Sequence, residues 1–396
     1  MALLPVPAAL TAMLEAAPAM PAETVALTEA LSRVLTAPVL AIRDQPPFRA
    51  SAMDGWALRA EDGLTPRRVA GESAAGRAFA GVLGPGEAVR IFTGAPVPAG
   101  ADHVVMQENA RLQAGALEIS GLGKANIRPQ AQEFAAGEAL LLAGQRIDGP
   151  RAAIIASAGA AMISVRRKPR IAILTLGEEL VAPGAPAGED QIYESVSFGL
   201  AGLIAQWGAA PLRRASLPDS AQALADAVAR AEREADLIVI AGGASVGAYD
   251  VARTAIGART MRVEKVAIRP GKPTWFAAGA GPPILGLPGN PASALVCARV
   301  FLRPLLEAML GLGNEDRAES FWATLANEAG PIGERLAYLR CAVAPERDGR
   351  LSARLAPDQD SALARPFATC NALAILDPDR PAARAGDLVE CLWMSK

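Results

Sequence analysis

The chain has 396 residues, of which 51% are hydrophobic and 20% charged; this balance excludes a disordered polymer, and the length suggests two to three domains. Its 37 glycines and 31 prolines follow no G-X-Y period, which excludes collagen and implies many loops. A net charge of −2 gives no global electrostatic case for nucleic acid.

From Met1 to Pro21 the chain is apolar, but Glu15, scattered prolines and the lack of a basic start fit a signal peptide poorly. Val25, Leu27, Leu31, Val34 and Leu35 share one stripe, which predicts a helix over 23–36. Residues 44–143 change texture: short apolar runs (Ala88–Phe92, His103–Met106, Leu117–Ile119) alternate with Gly and Pro, the pattern of a β-rich module. A second helical pattern covers 150–164. The two helical pieces therefore flank a β insertion and are expected to pack as one discontinuous domain.

Beyond Lys168, strands alternate with helices. Arg170–Thr175 and Leu237–Ala241 are continuous apolar runs, hence buried strands; Leu212–Leu217, Arg262–Ile268, Thr274–Ala277 and Ile284–Leu287 are further strands. Helices are expected over 195–207, from Asp219 or Ser220 through Arg233, and from Asn290 with Pro291 at its first turn to about Met309. The alternation implies an α/β, mostly parallel sheet, which places ligands at the carboxyl ends of its strands. After Gly313 short strands return (Phe321–Leu325, Tyr338–Val343, Leu373–Leu376, Asp387–Leu392), which suggests a small C-terminal β domain.

Cys297, Cys341, Cys370 and Cys391 form no C-x-x-C pair, which reads as a reducing compartment rather than a disulfide framework or zinc knuckle. His103, the only histidine, excludes a multi-histidine metal site and is most simply structural. No apolar run of about 18 residues is free of charge, so no membrane span is expected, and a cytoplasmic protein is.

Four loops gather at the strand ends. Leu176-Gly177-Glu178-Glu179 follows one strand, and Gly242-Gly243-Ala244-Ser245-Val246-Gly247-Ala248-Tyr249-Asp250 follows another. Their glycines let backbone approach a ligand and can nest an anion, although Asp250 also suits a helix N-cap. Leu287-Pro288-Gly289-Asn290-Pro291-Ala292-Ser293 joins a strand to a helix N-terminus, a place suited to anions or to plain chain punctuation. Arg269-Pro270-Gly271-Lys272-Pro273 sets two cations on a turn, for an oxyanion or for solvent. Together they describe a pocket for a phosphorylated ligand with an oxyanion. In the β module, periodicity and composition do not say what PPFRASAMDGWA (46–57) or TGAPVPAGAD (93–102) does; Asp54-Gly55 fits a turn.

These segments together resemble the MoeA family, whose eukaryotic counterpart is the gephyrin E domain. PPFRASAMDGWAL is similar to PPF-x-x-SAMDGYA, and IFTGAPVPAGADHVVMQE to TGAP-x-P-x-GAD-x-VV-x-x-E. AGGASVGAYD, RPGKP and LPGNPASA follow SGG-x-SVG-x-x-D, KPGKP and LPGNP-x-S in the family's order. The resemblance implies a helical linker part (1–43 with 144–167) split by the β-rich insertion (44–143). It further implies a MogA-like three-layer α/β pterin-binding domain (168–311) and a C-terminal β-barrel-like domain (312–396), in a homodimer with the active site between protomers.

The resemblance also implies molybdopterin molybdenumtransferase activity: molybdate is inserted into adenylylated molybdopterin with release of AMP, assisted by Mg²⁺. Asp54, Glu178 and Asp250 match acidic positions that would act catalytically and hold the metal. Thr93 and Gly94, then Gly177 and Ser195, then Gly242, Gly243 and Ser245, then Pro288, Asn290 and Pro291, would bind the pterin nucleotide. Arg269, Lys272, Ser293, Arg335 and Arg340 would hold molybdate. An upstream adenylyltransferase and downstream molybdoenzymes are the implied partners, with no nucleic acid and no membrane. Departures cluster at the same loops: Leu176 and Val196 stand where the family has Thr and Asn, Ala248 where it has an acid, Glu178 for Asp and Arg269 for Lys. The alternative is a divergent paralogue that binds molybdopterin or finished cofactor without inserting metal.

Overall fold

A computed structural model describes residues 3–243, 256–317 and 320–395. Its central sheet has six strands in the order Ala210–Arg213, Arg170–Thr175, Leu237–Ala241, Ile284–Leu287, Trp275–Gly279, Arg259–Val263. The first four run parallel; Trp275–Gly279 pairs antiparallel with the fourth, and Arg259–Val263 pairs antiparallel with Trp275–Gly279 at the edge. Side chains alternate across the pleat. Ile171, Ile173, Leu237, Val239 and Leu285 face one core with the helices Val6–Leu14, Val196–Gln206 and Pro291–Met309. Ala172, Leu174, Ile238 and Ile240 face a second core under the helix Ala221–Ala231, which Ser220 caps. Burial on both faces explains why these strands read as unbroken apolar runs, and it makes the domain three-layered as expected.

The chain before residue 168 differs from the expectation. In place of a helix over 23–36 there is a strand, Ala22–Ala26, and a single 3-10 turn, Leu27–Glu29. The helix expected over 150–164 stops at Ser157, and Met162–Arg166 is a strand that pairs antiparallel with Ala22–Ala26. Leu35, Ala30, Ile155 and Val165 do share one core, but only Ile155 reaches it from a helix; the others reach it by strand pairing and turns. Apolar periodicity cannot distinguish such a segment from a helix stripe when a distant strand supplies the hydrogen bonds. The part is therefore mixed rather than helical, and the unforeseen helix Val6–Leu14 packs against the central domain instead.

Between these flanks lies a sheet in the order His103–Met106, Gly55–Leu58, Glu87–Ile91, Arg67–Ser73, Ala116–Ile119, Ala110–Gln113. His103 is structural: its ring Nε2 lies 2.8 Å from the Leu122 carbonyl. At the C-terminus, Leu336–Pro345 pairs with both Leu351–Leu355 and Ala372–Leu376, closing five strands into a barrel. The short strand Ile268–Arg269 adds to it, tying the central domain to the barrel.

Asp236 anchors the entry to the sheet. Its carboxylate accepts from both Nη atoms of Arg167 (2.9 and 2.7 Å) and from the Arg170 N–H (2.7 Å). Burial pushes this carboxyl up, but those hydrogen bonds outweigh it and hold the group below the ordinary aspartate value. A lowered folded-state pKa contributes stability that is present at neutral pH and is lost as pH falls through the depressed value. Asp236→Asn should therefore lower stability in urea unfolding by about 1–3 kcal/mol at pH 7. The gap to the parent protein should narrow below the usual aspartate range, and a constant gap would rule out the ionic contribution.

Candidate functional site

At the carboxyl ends of Arg170–Thr175, Leu237–Ala241 and Ile284–Leu287 lies a cavity of about 670 Å³. Leu176-Gly177, Gly242-Gly243 and Gly289-Asn290-Pro291 form its floor. Gly242 is held at φ 99°, and a Cβ there would sit 2.4 Å from the Leu176 carbonyl oxygen. Only glycine lets the two loops lie back to back.

Ile192 to Val196 supply one wall. The strand Ile192–Tyr193 pairs with Leu180–Val181, and Glu194 pins its end. Glu194 is buried; its carboxylate accepts from the Ser197 N–H (2.7 Å) and hydroxyl (2.5 Å). Arg213 Nε donates to the same hydroxyl (2.8 Å) while its guanidinium stacks on Phe198, 3.6 Å from the ring centroid. Glu194 thus satisfies an orphan N–H of the helix Val196–Gln206 and leaves Ser195 on the cavity wall.

Of the expected acids, Glu178 is exposed and does not line the cavity; its neighbour Glu179 does, together with Asp219. Two consecutive glutamates after Gly177 leave this choice to local backbone geometry, which no sequence pattern reports. Asp219, read only as a possible helix cap, faces the cavity because Ser220 takes the capping role. Ser245 and Asp250 lie outside the described residues. Asp54 sits in the insertion, exposed, and accepts from the Thr93 N–H (2.7 Å) and hydroxyl (2.8 Å). These bonds, the backbone one foremost, hold its carboxyl below the ordinary value. Gly94 lines a separate cavity of about 770 Å³ with Arg43, Arg128 and Glu133. Within one copy of the chain, then, Asp54, Thr93 and Gly94 do not join the central cavity. Among the described residues no three His, Cys, Asp or Glu side chains converge on a metal position.

The segment 287–293 corrects one expectation. Pro288 is buried, while Gly289, Asn290 and Pro291 line the cavity. The helix N-terminus does not stand open to an anion: the Ser361 carbonyl of the C-terminal barrel accepts from Ala292 N (3.1 Å) and Ser293 N (3.3 Å). Asn290 does not cap the helix with its side chain; its Nδ2 donates to Ser361 Oγ (2.8 Å). A tertiary partner some seventy residues away satisfies donors that sequence spacing left unassigned.

The expected oxyanion residues divide. Arg269 and Lys272 are exposed on their turn, which is seated by Gly271: a Cβ there would meet Cys297 Sγ at 2.1 Å. Burial pushes the Cys297 thiol up to about 12, which makes it an inert packing group. Arg269 also lines a smaller cavity of about 290 Å³ against the barrel. Arg335 lies nearby and donates to the Ile268 carbonyl (3.2 Å). Ser293 is buried. Arg340 does not face an oxyanion: it is 2% exposed and its guanidinium bonds the main-chain carbonyls of Asp358, Asp360 and Leu363. In the alternation of its strand it falls on the side that holds the 356–363 loop.

Among the described residues no helix is long and apolar enough to cross a membrane. Three family profiles match the chain: "MoeA N-terminal region (domain I and II)" over residues 4–159, "Probable molybdopterin binding domain" over 172–308, and "MoeA C-terminal region (domain IV)" over 316–393. The chain is 38% identical to a Mycobacterium tuberculosis protein named molybdopterin molybdenumtransferase 2, over 79% of this chain and 81% of that one. It is 31% identical to the Haemophilus influenzae molybdopterin molybdenumtransferase, over 92% and 91%. A crystal structure of a molybdopterin biosynthesis MoeA protein from Pyrococcus horikoshii superposes with a TM-score of 0.86 at 26% identity, covering 100% of both chains.

Proposed function

The chain belongs to the MoeA family, and from that premise we propose that it is a molybdopterin molybdenumtransferase that inserts molybdate into adenylylated molybdopterin and releases AMP. The observation that carries the reading is the glycine-floored cavity at the carboxyl ends of the parallel strands. It falls in the segment 172–308 that matches the molybdopterin-binding profile, where α/β sheets hold ligands.

The backbone at Gly177, Gly242 and Gly243 approaches the pterin nucleotide closely, and Ser195, Asn290 and Pro291 shape its walls. Arg269, Lys272 and Arg335, next to the barrel, attract molybdate as a dianion. Glu179 and Asp219 present carboxylate oxygens, which suit a hard cation whose remaining ligands are substrate phosphates and water. Mg²⁺ held there would supply positive charge against the negative charge developing on the pyrophosphate. Glu178 and Asp250 remain candidates for the same ion. Asp54, kept ionised by Thr93, completes the site from the insertion of a second protomer, since within one chain it lies apart from the cavity. The protein acts as a homodimer in the cytoplasm, takes its substrate from an adenylyltransferase and passes cofactor to molybdoenzymes.

The test is to incubate the purified protein with adenylylated molybdopterin, Mg²⁺ and molybdate and to follow AMP by chromatography. Molybdate-dependent release with turnover supports the reading. Leu176 and Val196, apolar at the cavity, favour a second reading in which the chain holds the pterin without chemistry; tight binding without AMP selects it. Complementation tests the shared site. Asp54→Ala and Gly242→Val, each inactive alone, should recover about a quarter of parental activity when unfolded and refolded together, because half the dimers are mixed and each carries one intact site. No recovery would place both residues in one protomer's site.

A further inference from the structure

We infer that Arg340 is a positioning residue: it holds the 358–363 loop of the barrel so that Ser361 closes the end of the Pro291–Met309 helix beside the cavity. The inference rests on the functional reading above and concerns how the C-terminal domain shapes that site. Arg340 lies in the strand Leu336–Pro345. Its Nη2 donates to the carbonyls of Asp360 (2.9 Å) and Asp358 (3.2 Å), and its Nη1 to that of Leu363. Gln359 locks the same residue: its Oε1 accepts from Arg340 N (3.0 Å) and Nε (3.3 Å), and its Nε2 donates to the carbonyls of Arg340 (3.0 Å) and Ala356 (3.1 Å). A planar fork whose two Nη atoms stand apart at fixed angles holds carbonyls at two points; a lysine, with its three donors on one nitrogen, does not span them.

The loop so held leaves the barrel and touches the central domain. Its Ser361 carbonyl takes the N–H groups of Ala292 and Ser293, and its hydroxyl takes the Asn290 amide. The next residue, Ala362, lines the cavity beside Asn290 and Pro291. Arg340 therefore acts through Ser361, and among the described residues the barrel contributes Ala362 to the cavity lining and no charged side chain.

Hydrogen exchange of the ligand-free protein gives the direct readout. Arg340→Lys should speed exchange of the Ala292 and Ser293 amides at least about tenfold while the sheet amides of Leu237–Ala241 stay protected. In turnover, Arg340→Lys should raise the KM for adenylylated molybdopterin about tenfold and leave kcat within about twofold. Ser361→Ala should raise it about threefold, and the double variant should match Arg340→Lys alone, because the two residues act in series. Should Arg340→Lys fail to fold, Gln359→Ala removes the second lock on the same loop, keeps Arg340, and should speed exchange of the same two amides.

Unchanged exchange at Ala292 and Ser293, or a rise confined to the KM for molybdate, would overturn the inference; the second result would return Arg340 to the oxyanion. Exchange is read without substrate, so a parent protein that releases no AMP sinks the functional reading while the seating of the loop is measured independently.

Discussion

Asp54→Ala will abolish molybdate-dependent AMP release and leave thermal unfolding unchanged. The side chain is exposed, so its loss opens no cavity. The main chain around it stays tied, because the Asp54 carbonyl still accepts from Gln107 N (3.0 Å). What disappears is a carboxylate that two bonds from Thr93 keep charged and aimed. Removing one preorganised charge-stabilising group typically costs on the order of 10²–10³-fold in rate, and an acid at the reaction centre should reach at least that. Asp54→Asn keeps acceptor geometry and loses the charge. If charge is what matters, it will be as inactive as alanine, and AMP release within tenfold of the parent in both variants would reject the assignment.

Glu307→Ala should cause the largest loss of stability. Arg303 and Glu307 form a buried pair at 2.9 Å, with side chains 9% and 8% exposed. The Glu307 charge also supports Arg146 and Arg299, both depressed first by burial, Arg299 to about 10. These arginines hold the domains together. Arg299 Nε donates to the Trp393 carbonyl of the barrel (2.5 Å), and Arg146 Nη1 reaches the carbonyls of Ser32 (3.4 Å) and Trp207 (3.5 Å). Removing one partner of a buried pair leaves uncompensated charge and costs about 3–5 kcal/mol, read as a lower urea midpoint or as insoluble expression. Removing the facing charge too, with Arg303→Met in the same chain, should recover part of it, because it takes away one of the cations that Glu307 balanced. A single variant within about 1 kcal/mol of the parent would mean that water already solvates the cluster.

The central domain was largely legible in the sequence. Arg170–Thr175, Leu237–Ala241 and Ile284–Leu287 read as buried strands because parallel strands covered on both faces need apolar side chains at every position. The glycines and turns at their ends announced the cavity for the same local reason. The helix expected over 23–36 is absent because the hydrogen bonds of Ala22–Ala26 come from Met162–Arg166, a partner that local periodicity cannot name. The strand Leu351–Leu355 escaped notice for want of a long apolar run.

Sequence by itself determined the order of the parts, the parallel sheet, the floor of the cavity and, through five motifs in order, the family. Each is written in contiguous residues whose backbone demands or burial are local. Tertiary structure alone decided which side chains reach the cavity: Glu179 rather than Glu178, Asp219 beside the capping Ser220, and Arg340 turned onto the loop that seats Ser361. One residue of phase around a turn or along a strand reverses a side chain's direction, and a helix end takes its capping partner from whichever chain lies nearest in space.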